Sequence, residues 1–408
     1  MPASRTADLP LHHGHVPPWL AMRMARLGRA VVEAIVLEYG RGELLRRLSD
    51  PLWFQSFGAV LGMDWHSSGI TTSVVGALKR AVNPLSHELG LYVCGGRGKH
   101  SRNTPRELLQ VAGRTGLDGE ALVRSSRLSA KVDNTAIQDG YQLYLHSFVV
   151  SADGEWAVIQ QGMNDANGYA RRYHWHSRAF DSFVRAPHTS ICGAPQGLLL
   201  NLVDREAGAT QAGVLDIATR HPTRMLEEIR RIRMPARHDV KAGDVDLRRL
   251  GSVIALAYEA ELRDFESLLL LRGLGPRTLQ SLTLVSEVIY GTPSRFSDPA
   301  RFSFAHGGKD GKPFPVPTRV YDETIDTLNT ALRKAKLGHS EKKEAFKALH
   351  AAANRIEPHF EPNDRFDELI EREWRESKQY GGRTVFDGGV DNKKKKERRE
   401  ADRQLRLF

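Results

Sequence analysis

The sequence predicts an α+β N-terminal domain, roughly residues 1 to 200, followed by a mostly α-helical C-terminal domain. Three observations lead there. Tyr141 to Val150 is rich in Tyr, Leu, Phe and Val, the turn residues Ser151 to Gly154 follow, and Trp156 to Ile159 reads as a return strand, so this stretch is a β-hairpin. Helical periodicity precedes it, most clearly at Leu20, Met24, Leu27, Val31 and Ile35. From about Leu247 onward the apolar residues recur at helical spacing and no strand signal returns.

Composition sets the bounds. The chain has 408 residues, of which 40% are hydrophobic and 26% charged, an ordinary soluble balance with ample material for a core. A net charge of +10 suits a polyanionic partner, although a basic protein without one has the same charge. Only two cysteines, Cys94 and Cys192, are present, too few for a disulfide framework or a cysteine-rich zinc site. They fit a reducing, cytoplasmic setting. Met1 to Trp19 lacks the apolar segment of a signal peptide, and no stretch is apolar enough to span a bilayer, so a membrane is not expected.

Taken in order, Trp19 to Tyr39 is an amphipathic helix stopped by Gly40 or Gly42, and Arg41 to Phe57 is helical with a break at Asp50-Pro51. Val60 to Thr72 is polar and turn-rich, and Thr72 to Val82 resumes a helix. Leu89 to Cys94 is a short strand, followed by the loop GGRGKHSRNTP and a helix from Pro105 to Ala112 with Thr104 as N-cap. Residues 201–246 form a helical connector with helices around Thr210 to Thr219 and Pro222 to Arg233. The C-terminal helical domain covers residues 247–380, interrupted by a long loop from Ser294 to Pro317, with Thr318 to Ala353 helical again. Residues 381–408 are a charged tail with clustered Lys and Arg, expected to be frayed or flexible.

The segment Leu271 to Thr278, LRGLGPRT, is similar to the turn of a helix-hairpin-helix module, which grips a DNA backbone without reading sequence. Gly273 and Gly275 permit a tight turn and a close approach of backbone to phosphate. A helix beginning near Pro276 aims free N–H groups and its dipole at that phosphate. Arg272 and Arg277 flank the turn, Thr278 packs between the helices, and Leu271, Leu274, Leu279 and Leu282 supply their core. A tight helical hairpin with no ligand is the alternative.

Four polar constellations are candidates for chemistry. The first is Asp64-Trp65-His66-Ser67-Ser68-Gly69, where Asp64 and His66 share a face if extended and could hold a metal or act as a base. The second is Lys131, Asp133, Gln138, Asp139 and His146 around the β-hairpin. Acidic groups there would hold Mg²⁺ or Mn²⁺, and Lys131 would stabilise the transition state. The return strand lacks the Asp-x-Lys or Glu-x-Lys of a standard nuclease. It carries Gln160, Gln161 and Asn164 instead, amides able to read a flipped base. The third is Arg171 and Arg172 with Tyr173-His174-Trp175-His176. Alternation puts Tyr173 and Trp175 on one face for base stacking, the arginines reach phosphates, and the two histidines on the other face lack a zinc partner cluster. The fourth is His306, Lys309 and Asp310 in a glycine-rich loop after the hairpin, with Lys309 a further DNA contact. Structural roles are the alternative for all four. His12, His13 and His15 read as packing residues, and Gly95 to Arg102 is a basic glycine-rich loop that is not a Walker A motif.

Five stretches resemble a family of uncharacterised archaeal and bacterial proteins, domain of unknown function 763. They are ADLPLHHGHVPPWL (Ala7 to Leu20), RLSDPLWFQSFGAVLGMDWHSSGITTSVVGALK (Arg47 to Lys79), KVDNTAIQDGYQLY (Lys131 to Tyr144), IQQGMN (Ile159 to Asn164) and DPARFSFAHGGKDGKPFPVP (Asp298 to Pro317). The resemblance implies no reaction. The hairpin is similar to those of DNA repair enzymes, which points to DNA as partner by fold-level analogy. The resulting expectation is a DNA-processing enzyme of the repair or recombination type, most simply a metal-dependent nuclease. A base-reading glycosylase without metal and a non-catalytic DNA-binding adaptor are the alternatives.

Overall fold

A central antiparallel sheet with helices on both faces organises the chain. The computed structural model describes residues 9–10, 16–63, 68–193, 196–231, 247–300 and 318–356. In chain order the elements are β1 (Leu9–Pro10), α1 (Pro18–Tyr39), α2 (Arg41–Leu48), α3 (Pro51–Val60), α4 (Gly69–Val82), α5 (Ser86–Leu89) and β2 (Leu91–Arg97). They continue with α6 (Lys99–Thr115), α7 (Gly119–Lys131), β3 (Gln142–Ser151), β4 (Trp156–Asn164), β5 (Tyr169–His176) and β6 (Ser190–Cys192). The chain then gives α8 (Gly208–Thr219), α9 (Pro222–Arg231), α10 (Leu247–Glu259), α11 (Phe265–Leu270), α12 (Pro276–Tyr290), α13 (Thr318–Lys334) and α14 (His339–Ile356).

The strand order is β1-β5-β4-β3-β2, with β6 also pairing β5. Every pairing is antiparallel. The hairpin expected at Tyr141 to Ile159 is β3–β4, centred on the pairs His146↔Gln160 and Phe148↔Val158. Its strands read as apolar runs rather than clean alternation because helices cover both faces. On one face, Phe148, Val158, Tyr173 and Trp175 join side chains from α6 to α12, including Leu108, Leu122, Val214, Ile254, Leu268 and Leu282. On the other, Val149, Ala157 and Ile159 join Val31, Leu45, Phe54 and Val74, together with Leu328 and Leu349 of α13 and α14. The first apolar cluster thus runs across the expected boundaries at 200 and 247 without interruption.

One local expectation is corrected, and one local feature is new. The loop GGRGKHSRNTP is mostly ordered secondary structure: β2 extends to Arg97, α6 starts at Lys99, and Pro105 lies inside that helix. Proline has no N–H for the carbonyl four residues back. The Thr104 hydroxyl donates to that carbonyl, Ser101 O, at 2.7 Å, so Thr104 patches a helix interior instead of capping a start. The true start is Gly98, at φ +60°, a left-handed turn that suits glycine. The new feature follows α7, which ends at Lys131. A wide π-type turn over Val132–Ala136 follows and swings Asp133 inward. Both cysteines are free and buried, and burial pushes the Cys94 thiol up to about 12. Among the described residues no helix is long and apolar enough to cross a membrane.

Candidate functional site

One end of the sheet, where β2 and β4 finish and β3 and β5 begin, gathers most of the residues singled out from sequence. The α11–α12 hairpin sits there. Asp264 caps α11 by accepting from Ser267 N at 2.7 Å. Gly273 turns the chain at φ +89°, and Gly275 leads into α12 with Pro276 as first helical residue. Among the described residues no side chain caps that helix, so the Arg277 and Thr278 amides of its first turn have no side-chain acceptor there. Leu274, Thr278, Leu279 and Leu282 are buried beneath the turn, while Arg272, Gly273 and Arg277 are exposed. The Lys131 ammonium donates to Leu274 O at 2.7 Å, and Gln138 Nε2 donates to Pro276 O at 2.9 Å. Lys131 therefore braces the turn rather than standing among acids. Burial lowers its pKa.

Behind the hairpin, the buried Asp133 anchors a polar network. Its Oδ2 accepts from Gln160 Nε2 at 2.5 Å and Trp175 Nε1 at 3.0 Å, and its Oδ1 meets His188 Nε2 at 2.5 Å. Since Gln160 spends its NH₂ on Asp133, its Oε1 must accept from His146 Nδ1, at 2.8 Å. That fixes the His146 tautomer, and Nε2 accepts from the Ser126 hydroxyl at 2.8 Å. Burial holds His146 neutral, with a pKa lowered to about 4. Burial also raises the pKa of Asp133, against the pull of His188 and Trp175.

Next to it, Arg171 is clamped between two carboxylates. Its Nη1 reaches Asp139 Oδ2 and Asp298 Oδ1, both at 3.0 Å, and its Nη2 reaches Asp298 Oδ2 at 2.8 Å. Tyr173 donates to Asp139 Oδ2 at 2.7 Å, and the guanidinium lies 5.0 Å over the Tyr141 ring. All three charged side chains are inaccessible to solvent. Burial opposes the charge on Arg171, but Asp298 and Asp139 hold its pKa above the ordinary value. Burial raises that of Asp139 despite Arg171.

The opposite face carries a third group. Gln161 accepts from the Thr71 hydroxyl and donates to Ser68 O at 2.9 Å and to the Tyr144 hydroxyl. Arg172 donates to His174 Nε2 at 2.9 Å and Gln55 Oε1 at 3.0 Å, and lies 4.7 Å over the Phe54 ring. Burial and then the Arg172 charge hold the His174 pKa well below the ordinary value.

A family model described as protein of unknown function, DUF763, matches residues 5–316. The chain belongs to the DUF763 family. No curated protein and no solved structure matches it. The matched span of this DUF763 chain takes in all six strands and the α11–α12 hairpin, and ends before α13.

Within that span the sequence expectations sort clearly. The hairpin residues Arg272, Gly273, Gly275 and Arg277 stand where an outside partner can reach them, with Leu274 and Thr278 beneath. Arg171, Arg172, Tyr173 and Trp175, expected to touch DNA, are instead wholly buried. Asp133, Asp139, His146, Gln160 and Gln161 are buried too, each engaged by interior partners, and Asn164 is taken up by its own turn, accepting from Ala166 N at 3.0 Å. Asp64, His66 and Lys309 lie outside the described residues. Among the described residues no group of three His, Cys, Asp or Glu side chains is arranged for a metal. Sequence reasoning missed Ser126 and His188, since a helix serine and a lone loop histidine carry no spacing signal. Asp298, the first residue of the last family-like stretch, carried no role in the sequence reading and is the bidentate partner of Arg171.

Proposed function

We propose that this protein binds DNA through its phosphate backbone, with the α11–α12 hairpin as the gripping element. The observation that carries the reading is the exposed glycine turn whose helix, α12, starts without a side-chain cap between two exposed arginines, Arg272 and Arg277. An uncapped helix start offers N–H donors and a favourable dipole to a phosphate oxygen. The Arg249 guanidinium lies 3.7 Å from where a Cβ on Gly275 would stand, adding a third cation at the turn. Lys131 and Gln138 hold the loop in shape from below, so little ordering cost falls on the binding step. Backbone recognition of this kind is independent of sequence and sensitive to salt.

Metal-dependent strand cleavage is the bolder form of the reading, with Mg²⁺ or Mn²⁺ as cofactor. The interior networks occupy Asp133, Asp139 and His146, so cleavage would rest on Asp64 and His66. Binding is therefore the better supported function. The test is a salt titration of duplex DNA affinity by fluorescence anisotropy with Arg272→Ala/Arg277→Ala. Both side chains are exposed, so folding should be kept. The expected result is weaker binding and a log–log salt slope shallower by roughly 2, since each lost phosphate contact removes about one. Parental affinity and slope would remove the hairpin from the interface.

A further inference from the structure

The basic surface does not stop at the hairpin. Lys131, which braces Leu274, ends α7, and the exposed Arg127 lies one turn back on the same helix. Asn134 Oδ1, just past Lys131, accepts from Leu143 N at 3.2 Å. The next residue of β3, Tyr144, accepts from Gly98 N at 2.9 Å, and its ring lies 5.8 Å under the Arg97 guanidinium. A short chain of contacts thus joins the hairpin to the β2–α6 turn along one end of the sheet. That turn carries Arg97, Lys99, His100 and Arg102, all exposed. The segment from Arg97 to Arg106 contains no acidic residue. The first acid, Glu107, is committed to Lys79 at 2.7 Å. Among the described residues, none of Arg97, Lys99, Arg102, Arg127, Arg272 and Arg277 forms an ion pair, whereas Arg124, one turn above Arg127, is paired with Glu266 at 3.0 Å. Between Arg97 and Lys131 the one exposed large apolar side chain is Leu109, well up α6, so the surface lacks the apolar residues that insert into a lipid interface.

We propose that duplex DNA lies across this end of the sheet, held at the hairpin and again at the β2–α6 turn, where Arg97, Lys99, Arg102 and Arg127 contact its phosphates. This rests on the hairpin reading and extends it. The polyanion with regularly spaced charges matches cations spread along a line of secondary-structure ends. Among the described residues the α6 start, built on Gly98, has no side-chain cap and adds the Lys99 and His100 amides to the turn.

The experiment compares three full-length proteins on a labelled duplex across a salt series and on vesicles of anionic phospholipid: the parent, Lys99→Ala/Arg102→Ala/Arg127→Ala, and Arg272→Ala/Arg277→Ala. Thermal unfolding checks that all three are folded. The expected result is that both variants bind more weakly, most visibly at low salt, and that the triple variant lowers the salt slope by roughly 3. Parental binding by the triple variant, with loss in the hairpin variant, overturns the extension and leaves the hairpin reading in place. Loss in the triple variant alone overturns the two-point arrangement and the hairpin reading together. Loss of binding to anionic vesicles with unchanged DNA affinity reassigns the surface to a membrane and overturns the proposal.

Discussion

Asp133 takes donors from three separate segments, Gln160 of β4, Trp175 of β5 and His188 beyond it, and so ties strands to loop through one carboxylate. Asp133→Ala leaves three buried donors without an acceptor. Losses of about 3–5 kcal/mol are typical when a buried charged partner is removed, and urea unfolding should show a change of that size. A loss within the range of surface substitutions would mean that the network is not holding the fold. The histidines give a pH signature. An imidazole in the unfolded chain takes a proton near 6.5, whereas His146 in the fold does so only near about 4, and His174 is held well below its ordinary value. From pH 6.5 downward the unfolded state therefore binds protons that the fold refuses, and stability falls as pH falls. Each such histidine contributes about 1.4 kcal/mol per pH unit across its window. His146→Gln should flatten the acid limb between pH 6.5 and about 4 relative to the parent when unfolding free energy is measured at each pH. An identical limb would show that His146 titrates freely.

At the scale of elements, β2 is a sheet edge, and edges invite pairing with other chains. Asn83 closes it: its Nδ2 donates to Val93 O at 2.9 Å and its Oδ1 accepts from Val93 N at 2.8 Å, as a neighbouring strand would. Farther along, Glu107 Oε2 accepts from Gly95 N at 2.8 Å, while Lys79 donates to Gly95 O at 2.9 Å. Asn83→Ala reopens a donor and an acceptor at once. It should cost about 1–3 kcal/mol in thermal or urea unfolding and raise light scattering on warming. Unchanged scattering and stability would mean that the edge is protected by α4 and α6 alone. These elements also show what sequence could and could not reveal. Helix and strand periods are strong local signals, so α1, the β3–β4 pair and the alternation of Tyr173 to His176 were legible. Which faces are covered is not a local property. Arg171 looks like a phosphate contact until Asp139, 32 residues away, and Asp298, 127 away, are placed against it. An arginine–aromatic strand has the same pattern whether it stacks on bases or fills a core. The turn between α11 and α12 was legible because its glycines and proline lie within eight residues.

For the whole molecule, the question is whether the α+β and helical parts are separable, as the sequence suggests. One apolar cluster includes Leu122, Val123 and Phe148 from the first part, and Leu250, Val253, Leu268, Leu279 and Leu282 from the second. Polar ties follow the same seam. Arg171 needs Asp298 for half of its neutralisation, Lys131 needs Leu274 O, and Arg124 pairs with Glu266. A fragment ending near residue 200 would expose the helix-facing side of the sheet and leave Arg171 with Asp139 alone. Uncovered apolar surface of that extent forfeits about 25 cal/mol per Å² and can exceed the whole margin of a marginally stable fold. The fragment should accordingly behave as a collapsed state, binding an apolar dye, keeping far-ultraviolet dichroism and losing the near-ultraviolet signal of Trp156 and Trp175. Adding the complementary C-terminal piece should restore that signal and a single cooperative transition. A fragment that unfolds cooperatively by itself, with a native near-ultraviolet spectrum, would instead establish the N-terminal part as an independent domain. The shared core would then be an interface between two units able to move apart.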